Sequence, residues 1–511
     1  MGDDIERNGH IRGVDQVVRL GAEVVCQCGT GAAKQTRAAP PEEFHGLAFQ
    51  FSLPALVSLE DRARYSTEGT MVQESDRRVK QEFPTKIEHD PIIISPVLSV
   101  RRIFSNPAIP QKYRSNFLHL YFDIGWFGIL SGSAINFINV YAARLGATGF
   151  QIGLIGAVSA VMTLILAMPS SRWLERKQID KTVFWTSIVY RLGYLLWIPL
   201  PWLFNEVGQV WALIMITLLM GIPLTALGVG FNALFAAAVP GEFRAYVAGI
   251  RNIVLSMTFI LASLGSGYLL ERLPFPTGYQ VVFAIGAFGA LMSSLHLYFI
   301  RSVTPPIHPG LQPMAGLPHP QRGLKDGLRL DVWKTPFRNI LLVLFGFHLA
   351  QYLAIPIFPL YMVNELHLSD DQIGVGTALF YLTVMIGSTQ LVRMIQKIGL
   401  KRVTGWGVAA MCLYPMILAA SQNVYHFYLI STLGGFVWAM VGGSFANYLL
   451  EHIPEGDRPA YLAWYSIIAN ACILLGSLAG PLIAGFLGIS LGLVVIAFLR
   501  LLSGLAILKW G

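Results

Sequence analysis

The sequence predicts an all-α membrane protein: twelve transmembrane helices in two six-helix repeats, behind a disordered N-terminal tail. Three observations carry this. Of 511 residues, 54% are hydrophobic and only 13% charged, with a mean hydropathy of +0.55, whereas about a quarter of the residues in soluble domains are charged. From Asn116 onward, apolar segments follow one another closely, each long enough to cross about 30 Å of hydrocarbon with roughly 20 helical residues. The second half also repeats the first. Gly221, Gly228, Phe231, Pro240, Arg244, Ser263 and Leu264 recur 214 residues later as Gly435, Gly442, Phe445, Pro454, Arg458, Ser477 and Leu478. A further echo pairs Tyr141 and Gln151-Ile152-Gly153 with Tyr361 and Gln372-Ile373-Gly374. Such repeats mark two related membrane units.

Residues 1–115 form a polar extension, expected to be disordered and cytoplasmic, with 15 Lys/Arg against 15 Asp/Glu and no packable core. The run from Gly46 to Leu59 is too short to span, and no charged-then-apolar signal peptide opens the chain. Met71 is an alternative start. Cys26 and Cys28 form an isolated pair without a partner pair or nearby His, and four cysteines are too few for a disulfide framework.

The spans are 117–143, 151–172, 182–204, 208–237, 246–270 and 278–300, then 339–363, 372–394, 402–421, 424–450, 460–486 and 488–508. They must be helices, since an open backbone finds no partners in lipid. The domains are therefore a first bundle at 116–300, a cytoplasmic Pro- and Gly-rich central loop at 301–338, and a second bundle at 339–511. Orientation follows from the basic residues. With the N-terminus inside, the inner loops and C-terminus hold 18, including Arg172, Arg176, Lys177, Lys181, Arg244, Arg251 and Arg458, while the outer loops hold Arg144 and Arg272. This excess sets both termini in the cytoplasm, and it accounts for the net charge of +8 without nucleic acid.

Two cytoplasmic loops carry a family resemblance. Ser171-Arg172-Trp173-Leu174-Glu175-Arg176, with Lys177 and Lys181, lies between helices 2 and 3. Gln396-Lys397-Ile398-Gly399-Leu400-Lys401-Arg402 lies between helices 8 and 9. Both resemble the loop signature Gly-x-x-x-Asp-Arg-x-Gly-Arg-Lys of the major facilitator superfamily of secondary transporters. The first copy has Glu in the acidic place and neither glycine; the second keeps one glycine and the basic pair but lacks the acid. The resemblance covers residues 116–511. It implies alternating access around a central path lined by helices 1, 4, 7 and 10, in a monomer of the plasma membrane.

On that plan Glu175 and Arg176 are a candidate cytoplasmic latch, with Arg244, Lys401, Arg402 and Arg458 as further gate candidates. Positive-inside anchoring explains the basic members equally well, but not Glu175. The repeated Pro-x-x-x-Arg turns, Pro240 to Arg244 and Pro454 to Arg458, suit guanidiniums that cap helix-end carbonyls. Within the spans, Asp123 is the outstanding ionisable group. It is either a proton-coupling carboxylate or the structural partner of Arg191. Snorkelling to the interface is the alternative for Arg191 and the preferred reading for Arg500. His348 and Gln351 on helix 7, Asn136 and Asn139 on helix 1, Asn232 on helix 4, Gln390 on helix 8 and Asn447 on helix 10 are candidates for a polar substrate or proton pathway. Each could equally tie helices together.

No phosphate-binding loop, zinc-protease helix or nucleophile elbow occurs in the sequence, so neither an ATP-driven pump nor an enzyme is expected, and no cofactor or metal. The expected function is secondary transport of a small solute, drug-like or sugar-like, with the proton as candidate coupling ion. A non-transporting sensor or scaffold on the same fold is the alternative.

Overall fold

A computed structural model describes residues 110–174, 177–303, 329–454 and 458–511. The expectations for the N-terminal extension, the Met71 start and most of the central loop lie outside the described residues, as do Glu175 and Arg176.

Among the described residues, twelve long helices follow in chain order: α1 (111–144), α2 (Gly149–Leu174), α3 (179–203), α4 (Glu206–Ala238), α5 (Gly241–Arg272) and α6 (Thr277–Phe299), then α7 (Phe337–Glu365), α8 (Asp370–Ile398), α9 (Leu400–Ala419), α10 (Val424–Glu451), α11 (Arg458–Leu487) and α12 (Ile489–Trp510). Ten of these are long and apolar enough to cross a membrane. The other two, α1 and α3, are built from shorter segments: α1 carries a π turn at Ser131–Ile135 and α3 a 3₁₀ turn at Gly193–Trp197. Large apolar side chains point outward along the bundle, among them Trp185, Trp202, Leu261, Phe486 and Phe498, as a lipid-facing surface requires.

Two boundaries differ from the expected ones. Helix α1 begins at Gln111, ahead of the expected boundary at 116, because its first turn is anchored. The Asn116 amide donates to the carbonyls of Ala238 (3.2 Å) and Arg301 (2.7 Å) and accepts from the Arg301 amide (3.0 Å). One side chain thus ties the start of α1 to the ends of α4 and α6. The last part of the central loop is also ordered. A 3₁₀ turn at Leu330–Lys334 sets Trp333 edge-on to Trp464 of α11, with centroids 5.4 Å apart, and the Trp464 indole donates to the Arg329 carbonyl at 3.2 Å.

The core of each half is aromatic. Tyr190, Tyr194 and Trp197 of α3 and Tyr279 and Phe283 of α6 pack around Tyr141 of α1. Phe347, His348, Phe445 and Tyr465 form the corresponding knot among α7, α10 and α11. The edge-on and tilted geometries give such pairs about 0.5–1.5 kcal/mol beyond their burial.

Candidate functional site

The halves meet along two seams, α2 with α11 and α5 with α8, and several of the sequence echoes lie on them. Thr148 and Gln151 form a capping box at the start of α2, the Thr148 amide donating to the Gln151 carboxamide oxygen at 2.9 Å. Ser369 and Gln372 repeat the box at the start of α8 (3.1 Å). The glycine two residues beyond each Gln is the contact point. A Cβ on Gly153 would stand 2.1 Å from the Ser477 carbonyl of α11, and one on Gly374 would stand 2.8 Å from the Ser263 carbonyl of α5. Ser263 and Ser477 are themselves a repeat pair. Each half therefore offers one glycine and one serine to the other, crosswise. The echoed tyrosines correspond too: Tyr141 bonds Gln209 at the start of α4, and Tyr361 bonds the Ala419 carbonyl (3.1 Å) at the end of α9, so each ties into the connection between the third and fourth helices of its half.

At the end of the bundle expected to be extracellular, the seam is locked by charge. Arg144 donates through Nη2 (3.0 Å) and Nε (3.3 Å) to one oxygen of Asp370 and through Nη2 to the Leu368 carbonyl, while Tyr279 donates to the other Asp370 oxygen at 2.8 Å. Residues of α1, α6 and α8 are thus joined across the two halves. None of the three was a sequence candidate. The same contact zone continues inward to Phe259 of α5 against Tyr381 of α8 (4.0 Å) and to Ala160 beside Tyr352 and Ile473.

Inside the first half, Asp123 is 3% exposed and shared. Its Oδ1 accepts from Ser293 of α6 (2.5 Å) and faces Arg191 Nη2 of α3 (3.7 Å); its Oδ2 faces Arg251 Nη1 of α5 (3.4 Å). Arg191 continues the network by donating to Ser294 (2.9 Å), which is in turn bonded by Ser187 (2.9 Å). Of the two readings of Asp123, the structure contains the ion pair with Arg191. Of the two alternatives for Arg191 the structure contains the inward one, and it corrects one assignment: Arg251, counted as a loop anchor, lies part-buried beside Asp123 within α5. The short reach of Asp123 and its burial hold the long arginine side chains inward, where leaving them unpaired would be costly. The positive-inside count hid Arg251 because a basic residue ten positions into α5 resembles an interfacial one.

Arg500 of α12 is a second correction, of the snorkelling expected for it. It is 3% exposed and donates to the carbonyls of Ala350 (3.3 Å), Gln351 (3.2 Å) and Met411 (3.3 Å). Both contacts lie at helix breaks next to prolines. The first segment of α7 ends at Ala354, just before Pro356, and α9 breaks after Ala410 with Pro415 four residues beyond Met411. A proline has no amide proton for the carbonyl four residues back, so Pro415 leaves the Met411 carbonyl without its helical donor, and Arg500 supplies one while also reaching the Ala350 and Gln351 carbonyls in the last turn of α7 before its break.

The polar pathway candidates divide. Asn136 is a tie: its amide donates to Ser263 (3.2 Å), which donates to the Gly374 carbonyl (3.1 Å). His348 shares a hydrogen bond with Tyr465 (2.8 Å) inside the aromatic knot. Gln390 bonds its neighbours Thr389 and Arg393, and Asn232 of α4 is half-buried. Asn139 Oδ1, Gln351 Oε1 and Asn447 Nδ2 are buried atoms with no hydrogen-bond partner among the described residues, on α1, α7 and α10. Of the gate candidates, Arg244 caps the end of α4 through the carbonyls of Val239 (3.1 Å) and Ala236 (2.7 Å). Lys401 and Arg402 open α9 at the surface, and the Arg458 side chain lies outside the described residues.

A duplicated twelve-helix membrane bundle with crosswise seams and buried charge networks defines the class of protein. The sequence model of the Major Facilitator Superfamily matches residues 122–347 and 340–511. The chain belongs to that family of membrane transport proteins. It is 28% identical over 153 residues to multidrug resistance protein 2 of Bacillus subtilis (strain 168) and 29% identical over 135 residues to multidrug resistance protein 1 of the same organism. These matches span 38% and 33% of those relatives and 30% and 26% of this chain. Among solved structures it is similar to a D-xylose–proton symporter (TM-score 0.59, 15% identity, 78% of this chain and 97% of that one). It is also similar to a bacterial homologue of the iron transporter ferroportin in its inward-facing state (TM-score 0.58, 15% identity, 81% and 99%). At these identities the likeness is one of fold.

Proposed function

We propose that the chain is a secondary active transporter that moves a small, largely apolar solute by alternating access, its two halves rocking about the seams. The observation that carries this is the crosswise glycine–serine contact of α2 with α11 and α5 with α8, joined to the Arg144–Asp370 lock, which among the described residues stands at one end of the zone. Backbone-to-backbone packing through small residues allows helices to tilt against each other without unlocking large side chains. A single ion-pair cluster at one end gives that motion a closed state. In the proposed orientation this is the inward-facing state. The unpartnered Asn139, Gln351 and Asn447 groups supply polar points toward a path that is otherwise apolar, and the multidrug resistance relatives favour a drug-like solute over a sugar.

A proton gradient is the proposed energy source. Asp123 is engaged by two guanidiniums and a hydroxyl, which favours a charge-balancing role for it over proton uptake. The test is reconstitution in proteoliposomes with an imposed pH gradient and a panel of radiolabelled apolar solutes. Gradient-dependent accumulation is expected, and a reducible cross-linker that spans the Arg–Asp reach between cysteines placed at 144 and 370 should abolish it reversibly. No flux of any solute in either direction, with the chain folded, would favour the sensor or scaffold reading.

A further inference from the structure

Between α1 and α6 stands a histidine pair that the networks above do not use. His119 Nδ1 and His296 Nδ1 share a hydrogen bond at 3.0 Å. Asn116, which ties α1 to Ala238 and Arg301, precedes His119 by three residues, and Arg301 follows His296 by five. The imidazoles therefore lie about one helical turn, ~5 Å, inside that end of the bundle. Both are half-buried, and Leu118, Phe122 and Phe299 beside them are exposed, so the pair is reached from the surface. The rings are also held. His119 stacks on Phe299 of α6 (centroids 4.9 Å apart, planes at 23°) and His296 on Phe122 of α1 (5.0 Å, 17°). Each helix thus supplies the phenyl that fixes the other's imidazole. A hydrogen bond between two imidazoles needs one Nδ1–H and one bare Nδ1; moving that proton to Nε2 of its own ring leaves two nitrogen lone pairs side by side. Their 3.0 Å separation is the span of two neighbouring ligands on one ion. Bonds of about 2.1 Å put two nitrogens ~3.0 Å apart at a right angle and ~3.4 Å apart at the tetrahedral angle.

We propose that His119 and His296 form a binding site for a late first-row divalent ion, zinc or copper(II), which bridges α1 and α6 near their ends. Neutral imidazole suits these ions, whereas Mg²⁺ and Ca²⁺ take oxygen ligands. Neither ring changes charge on binding, because the displaced proton stays on its own imidazole. Among the described residues no group of three or more His, Cys, Asp and Glu side chains is placed to hold a metal, so the other coordination positions fall to water. The Asp123 network, a turn deeper on α1, carries two guanidiniums against one carboxylate. Its net positive charge and the two-ligand set make the ion exchangeable, unlike one in a closed four-ligand structural site. The site does not depend on what the transporter carries.

The purified full chain in nanodiscs, free of any affinity tag, tests the site. It is titrated with Zn²⁺, Mg²⁺ and Ca²⁺ while thermal unfolding is followed, and with Cu²⁺ while electron paramagnetic resonance is recorded. Saturable stabilisation by Zn²⁺ alone is expected, with Cu²⁺ hyperfine structure from two imidazole nitrogens. His119→Phe and His296→Phe keep a ring in the stack and remove one ligand each. Either should weaken Zn²⁺ binding by about tenfold or more, since even loss of a ligand's outer hydrogen-bond partner costs ~10-fold. Undiminished Zn²⁺ affinity in either variant would place the ion elsewhere and overturn the proposal. Absence of a Zn²⁺ effect, or equal stabilisation by Mg²⁺, would do the same. If a Phe variant does not fold, His119→Gln, which keeps a hydrogen-bonding partner for His296, and the nitrogen count in the unaltered chain decide it.

Discussion

Arg191 in the first half and Arg500 in the second are equally buried arginines in apolar helices, yet they are accommodated by opposite means. Arg191 shares a carboxylate with Arg251 and ends in a serine network; its balance is ionic. Arg500 touches three main-chain carbonyls that lie beside helix breaks near Pro356 and Pro415. In the first case the acid is present for the bases. In the second the base is present for the backbone, whose unsatisfied carbonyls would each cost free energy in lipid. The same residue type therefore marks a charge network in one half and a broken helix in the other.

The largest expected effect removes the shared acid. Asp123→Asn leaves two buried guanidiniums against a neutral amide and should destabilise the fold by about 3–5 kcal/mol, read as lost folded yield in size-exclusion chromatography. Arg191→Gln added to Asp123→Asn should recover part of it. Undiminished yield of the single variant, together with lost pH-driven accumulation, would instead return Asp123 to a coupling role. Arg500→Met should cost less, about 1–3 kcal/mol, the penalty of unsatisfied buried acceptors. Here the sharpening variant is Pro415→Ala, which restores an amide proton for the Met411 carbonyl. It should rescue Arg500→Met by about 1 kcal/mol in thermal unfolding and do nothing for Asp123→Asn; rescue of both or of neither would erase the distinction.

The smallest effect is expected at the interhalf lock, where Arg144 is partly exposed. Asp370→Asn should change stability by no more than about 1 kcal/mol but shift the population toward opening at that end by about fivefold. Labelling of a cysteine introduced at 368, where the buried Leu368 side chain lies beside the lock and only its main-chain carbonyl takes part in it, reads this shift; an unchanged labelling rate would remove Arg144–Asp370 as a gate.

The fold was legible because hydropathy and duplication act over the whole chain. The repeat was also more literal than its sequence reading implied. Gln151, Gly153, Ser263 and their counterparts recur because each makes the equivalent contact in both halves, and Tyr141 and Tyr361 tie into equivalent connections, so the echo encoded an interface as well as an ancestry. The site was only partly legible. Asp123 stands out because an acid is rare in a span, but its partners do not. Arg251 looks like an anchor, Ser293 like any small residue in a membrane helix, and Arg500 like a snorkelling base until Pro356 and Pro415 are seen beside it. Arg144, Asp370 and Tyr279 come from three helices of two repeats, and no local pattern links them.

The crosswise seams carry a further consequence. Since each six-helix half presents both a glycine and the serine carbonyl that receives its partner's glycine, its contact face is self-complementary, as in a twofold dimer where residue i meets j and j meets i. A half produced alone should therefore find a second copy of itself. The covalent joining of the two halves then fixes which face meets which, and it frees each half to change the residues that the other does not touch, which is how one could acquire an ion network while the other acquired hinges.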